Sequence, residues 1–282
     1  MWEALQIDFI RNALAAGILV SIVCGVIGTL VVVNRIVFLA GGIAHAAYGG
    51  IGLAFFLGWP YVVGTTAVAL LSAGVMAAVT LKARHRADAM VGVIWAAGMA
   101  VGVILLDLSP GYNTDLMSYL FGSILTVPAS DLWQMGLLGI AVLAIVTWYY
   151  NDFLAMSYDD EFARLRNVPV TFLYCLLLGM IALSVVMIIR VVGLILVIAL
   201  LTIPPFIAEK FTGSLRAMMI ASSVLSCFFT VVGFWLSYAL NLTSGATIIL
   251  VAAAGFFLSL LWGRWRHRRS GRTKNAGAGE PA

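Results

Sequence analysis

The charges of this chain are confined to the gaps between long apolar runs, and that partition limits what it can fold into. Nine such runs can be read, at roughly 12–33, 41–58, 61–81, 89–107, 132–149, 169–189, 191–208, 216–238 and 246–263. A helix needs about 20 residues to cross the hydrocarbon core of a bilayer, and most of these runs come close to that. Several are short, so the count is eight or nine. Backbone polar groups have no water partner in lipid, so each run must satisfy its own as a helix. Composition excludes the soluble alternative. The chain is 63% hydrophobic and 10% charged, where a soluble domain carries about 25% charged residues. The expectation is an all-α polytopic transmembrane bundle over residues 1–263, followed by a basic tail over 264–282.

One gap is long. Leu108 to Asp131 is too polar for a simple span, and its centre, LMSYLFGSIL, reads as a short re-entrant or interfacial helix. The start of the chain does not read as a cleavable signal, because Glu3 and Asp8 stand where a basic region would be. Cys24, Cys175 and Cys227 lie singly in apolar runs without zinc or redox spacing, so they read as small apolar packing residues.

Lysine and arginine set the direction. With the N-terminus outside, the inner gaps hold Arg35, then Lys82, Arg84 and Arg86, then Arg164 and Arg166, then Lys210 and Arg216. The tail adds Arg264, Arg266, Arg268, Arg269, Arg272 and Lys274, leaving only Arg11 and Arg190 of the 16 basic residues outside. The tail reads as a disordered topology anchor against anionic lipid, with His267 belonging to it.

Several chemistries have no residues to carry them. The sequence holds no G-x-x-x-x-G-K-[ST] phosphate loop, no H-E-x-x-H, no G-x-S-x-G and no paired intramembrane aspartates. Transport, channel activity or a structural role remain. Ionisable residues inside a membrane are costly, about 2.5–3.5 kcal/mol at its centre, and are functional candidates for that reason. His45 is the clearest case, while Asp88, Asp107, Arg190 and Glu209 sit at span edges. His45 shares one helix face with Gly49 and Gly52, at i+4 and i+7. Gly98 and Gly102 form a GxxxG on another span. Glycines of this kind let backbones approach closely, and beside an imidazole they also leave room for a narrow polar path. The plainer reading of His45 is a hydrogen bond to a neighbouring helix; the functional one is a metal ligand. Asp88 reads equally as a helix cap.

A second feature is YYNDFLAMSYDDEFARLRNVPV, which interrupts two apolar runs on the inner side. Asp159, Asp160 and Glu161 precede Arg164 and Arg166, which suits the dipole of a short helix over about 157–168 capped by Asp159 or Asp160. It reads either as a solvated loop helix or as a docking helix for a cytoplasmic partner.

Several stretches together resemble the membrane permease subunits of bacterial zinc, manganese and iron ABC importers. They are GGIAHAAYGGIGLAFFLG, DLMSYLFGSILTVPASDLW, YDDEFARLRNVPV, RVVGLILVIALLTIPPFIAEKFTGS and LTSGATIILVAAAGFFLSLL. The second, Asp115 to Trp133, looks closest to the zinc-uptake branch. The third matches the family's D-x-E-x-A segment at Asp159, Glu161 and Ala163. The fourth matches its V-V-G…L-L-x-I-P-x-x-x-A signature at Val191, Val192, Gly193, Leu200, Leu201, Ile203, Pro204 and Ala208.

The resemblance implies a non-enzymatic subunit of the bacterial inner membrane. Its partners would be a second permease copy, an ATPase that hydrolyses ATP on separate chains, an extracytoplasmic metal-binding protein and membrane lipid, with no nucleic acid. It holds no permanent cofactor. Its cargo is a divalent transition metal, zinc first and manganese or iron second. The segment Asp159, Glu161, Ala163, Arg164 and Arg166 becomes the coupling helix, and His45 faces the metal path. In the family an aspartate often stands one turn before that histidine; here the position is Gly41. Asp88 and Asp107 are the candidates to replace its charge along the path. The rival reading is a stand-alone ion channel or secondary carrier, and a third is a structural membrane protein.

Overall fold

A computed structural model describes residues 8–82, 87–109, 122 and 127–276. Arg84 and Arg86, the LMSYLFGSIL segment apart from Gly122, and the last six residues of the tail lie outside them. The described residues form ten helices and no strand: α1 (Asp8–Val33), α2 (Val37–Leu57), α3 (Tyr61–Lys82), α4 (Ala87–Asp107), α5 (Ala129–Trp148), α6 (Tyr150–Tyr158), α7 (Asp160–Leu165), α8 (Val170–Glu209), α9 (Leu215–Leu240) and α10 (Ser244–Ala276). Eight helices are long and apolar enough to cross a membrane, and Gly193–Glu209 is a shorter apolar helix besides. The fold is therefore the expected all-α transmembrane bundle.

The 40 residues of α8 are two helices joined at a break. Gly193 has φ 76 and ψ 170, a conformation essentially closed to any residue with a Cβ. A straight helix of this length would run about 60 Å. Instead both ends lie near the end of α1. Val170 and Tyr174 share a cavity with Asn34 and Arg35, while a Cβ placed on Gly28 would come 2.9 Å from Pro205 Cγ. The chain thus turns back at Gly193, and the two arms, Val170–Ile189 and Gly193–Glu209, form a hairpin. In the second arm, Pro205 cannot donate to the Leu201 carbonyl four residues back. That carbonyl meets Gly28 instead, where a Cβ would stand 2.6 Å from it.

α2 and the first arm of α8 are mostly buried, whereas α4 and α5 turn most of their surface outward. α1 and α9 pack antiparallel through small polar residues. Ser21 Oγ is 2.9 Å from Thr230 Oγ1, and Ser223 Oγ donates to the Ile22 carbonyl. Such hydroxyl pairing serves where lipid removes the hydrophobic drive between helices. α2 ends at Gly58, whose left-handed backbone (φ 67) donates to Ala54 and Phe55 carbonyls. At the other end of the chain, α10 continues through the basic stretch to Ala276, where a disordered tail from residue 264 was expected.

Candidate functional site

α2 and α4 meet glycine to glycine. A Cβ on Gly49 would stand 2.8 Å from the Gly98 carbonyl oxygen, and one on Gly98 would stand 2.6 Å from Ala46 Cα. Gly52 faces the Gly102 backbone, and a Cβ on Gly102 would come 2.7 Å from the Tyr48 carbonyl. Contacts of this kind put backbone against backbone, so the four glycines are there because nothing larger fits. Sequence spacing placed Gly49 with Gly52 and Gly98 with Gly102 on single faces; the structure joins the two faces to each other.

That contact fixes His45. Its half-buried ring stacks on Trp95, with centroids 3.9 Å apart and planes inclined by 12°. Its Nδ1 lies 3.2 Å from Met99 Sδ. A thioether accepts and does not donate, so this geometry favours the tautomer with the proton on Nδ1. The metal-binding lone pair is then on Nε2. Trp95 and Met99 escaped the sequence reading, although positions 95, 98, 99 and 102 form one face of α4 at i, i+3, i+4 and i+7. Gly41 borders the same ring: a Cβ there would lie 3.3 Å from Ile198 Cδ1 and 3.9 Å from Trp95.

Neither candidate acid joins His45. Asp88 and Asp107 are exposed at the two ends of α4, about 28 Å apart at the helical rise. His45 meets the middle of that helix. No group of three histidine, cysteine or acidic side chains comes together among the described residues. Asp88 opens instead onto a cavity of about 630 Å³ with Arg35, Lys82, Asp160 and Arg164. The inner ends of α1, α3, α4 and α8 thus converge on the segment after α6. Of the described charged side chains, only Asp131 is buried, in the first turn of α5. The sequence marked it merely as the end of a polar gap.

The segment at 157–168 folds as a shorter helix than expected. Asp159 is extended (φ −154, ψ 102), breaks α6 from α7, and accepts hydrogen bonds from the Glu161 and Phe162 amides at 3.1 and 2.9 Å. Ala163 is fully buried, whereas Glu161, Arg164 and Arg166 are exposed. Apolar side chains stand out beside these charges: Leu165 is 82% exposed and Phe162 53%. An amphipathic surface of this kind at one end of a membrane bundle suits a protein partner.

Comparison with known proteins agrees with this arrangement. The model of a family described as the ABC 3 transport family matches residues 6–263. The chain is 48% identical over 264 residues to an uncharacterized membrane protein of Synechocystis, covering 94% of each. It is 31% identical over 258 residues to the manganese transport system membrane protein MntC of Listeria monocytogenes, covering 92% of each. In structure it resembles PsaBC from Streptococcus pneumoniae, solved with a Fab, with TM-score 0.83 and 30% identity over 91% of this chain and 93% of that one.

Proposed function

The chain belongs to the ABC 3 transport family, and from that premise we propose that it is the membrane permease subunit of an ATP-driven importer for a divalent transition metal ion. The match over residues 6–263, nearly the whole apolar body, carries this reading. The chain sits in the bacterial inner membrane and is not itself an enzyme.

The partner ATPase docks on α7. Its push enters through Ala163, which is buried under the helix, and through the cavity that Asp160 and Arg164 share with Asp88 and the ends of α1, α3 and α8. These ends are the parts that a docked motor displaces, so alternating access begins there. An extracytoplasmic metal-binding protein delivers the ion on the other side, and a second permease copy completes the pathway.

The ion passes His45 and touches Nε2 transiently, since a path that conducts must also release. Met99 holds the tautomer and Trp95 holds the ring plane. Zinc is placed first because the Nε2 lone pair of His45, left free by the Nδ1 contact to Met99, suits zinc better than manganese. Manganese is favoured by relatives such as the manganese transport system membrane protein MntC. Radiometal uptake into cells expressing the chain with its ATPase, using zinc, manganese and ferrous iron in competition, decides between them. Uptake that proceeds in vesicles without ATPase or nucleotide would overturn the importer reading in favour of a channel or secondary carrier.

A further inference from the structure

A slot of about 500 Å³ opens at the inner ends of α5 and α9, away from α7 and from His45. Its two ends differ in chemistry. At the inner end stand Thr147, Tyr150, Asn151 and Arg216. One helical turn deeper the walls are Val26, Leu143 and Met219. This polarity runs in register with the membrane. Trp148, at the end of α5, is 85% exposed and marks the interfacial level, where amphipathic rings collect.

The inner end carries an exposed cation. Arg216 forms no ion pair with any described residue; its guanidinium lies over the Tyr150 ring, 5.8 Å from the centroid. It also stands in the first turn of α9, where the helix dipole is itself positive and no acid is present. A cation at that end of a helix is disfavoured unless an anion joins it. Two positive sources above an apolar wall of Val26, Leu143 and Met219 suit an anionic head joined to a hydrocarbon chain.

We propose that this slot binds an anionic phospholipid of the inner leaflet. Its phosphate pairs with Arg216 and accepts from Asn151 and Tyr150. One acyl chain lies along Leu143 and Met219. Basic pockets between helices on the cytoplasmic side are suited to such headgroups. The lipid would hold α5, one of the most exposed spans, against α9 at the inner end of the bundle.

The test uses the full chain, purified in neutral detergent and stripped of lipid. Native mass spectrometry titrates dioleoyl-phosphatidylglycerol and dioleoyl-phosphatidylcholine against wild type, Arg216→Lys and Arg216→Gln. Wild type is expected to hold one phosphatidylglycerol about fivefold more tightly than phosphatidylcholine. Arg216→Lys should keep most of that preference and Arg216→Gln should lose it. A photoactivatable phosphatidylglycerol should label the peptide carrying Leu143–Asn151 in wild type. Ile220→Trp, which crowds the slot and leaves the cation, should weaken retention as well, and it replaces Arg216→Gln if that variant fails to melt cooperatively. Equal retention by wild type and both variants overturns the proposal. So does displacement of the lipid by millimolar inorganic phosphate, which would assign the slot to free phosphate. A disulfide between Thr147→Cys in one copy and Ile220→Cys in another would overturn it too, by showing the slot covered by a second chain.

Discussion

His45 and Trp95 lie ring on ring, 3.9 Å between centroids and 12° from parallel, although the whole of α3 stands between them in sequence. The stack leaves the imidazole little freedom to rotate, and the contact to Met99 favours the proton on Nδ1.

If His45 touches the ion, His45→Ala slows metal uptake by tenfold or thereabouts while the chain still co-purifies with its ATPase. About 1.4 kcal/mol of lost transition-state contact gives that factor. Met99→Leu keeps the packing volume but removes the acceptor on Nδ1, so uptake should fall by less. The imidazole nitrogen shifts in NMR should then show both tautomers. Unchanged uptake in His45→Ala would remove the residue from the path.

The glycine contact between α2 and α4 has no spare room. Gly98→Ala brings a methyl against Ala46 Cα, and Gly49→Ala brings one against the Gly98 carbonyl. Overpacking of this kind costs about 1–3 kcal/mol. Thermal unfolding in detergent should register the loss, and the double variant should not be additive, since both changes press on one contact. By contrast, Gly92→Ala meets nothing within 4 Å and should leave stability unchanged or slightly raised.

Gly193→Ala should destabilise the chain by about 1–3 kcal/mol, because its backbone must leave a region that alanine avoids. Protease accessibility around 190–193 in vesicles, read alongside the melting midpoint, checks it. A neutral result would mean the turn is made otherwise.

At α7 two changes separate folding from coupling. Asp159→Ala removes the cap on the Glu161 and Phe162 amides, worth about 1 kcal/mol, and Asp159→Ser should restore most of it. Glu161→Lys leaves the cap but reverses an exposed charge on the proposed docking surface. ATP hydrolysis that continues while uptake falls is the expected outcome. Tight coupling in Glu161→Lys would count against α7 as the docking helix.

Much of the fold was legible because lipid makes the rule simple: a long uncharged run must be a helix. The glycine faces were legible for the same geometric reason. What did not show was which face met which. In a membrane both the lipid side and the protein side of a helix are apolar, so periodicity carries little about partners. That is why Trp95 and Met99 went unread beside His45, and why Asp88 was a candidate to replace a missing acid's charge along the path when it opens onto the inner cavity. The length of the helix near 160 was overestimated because the acidic run held its own break, the extended backbone of Asp159.

One backbone conformation settles the polarity of the last two spans. Were Gly193 unable to reverse the chain, α9 and α10 would thread the bilayer upside down, and the arginine-rich end would be carried to the wrong compartment. The many positive residues at that end resist such translocation. The reversal and the charges therefore enforce the same parity, one from within the membrane and one from its edge.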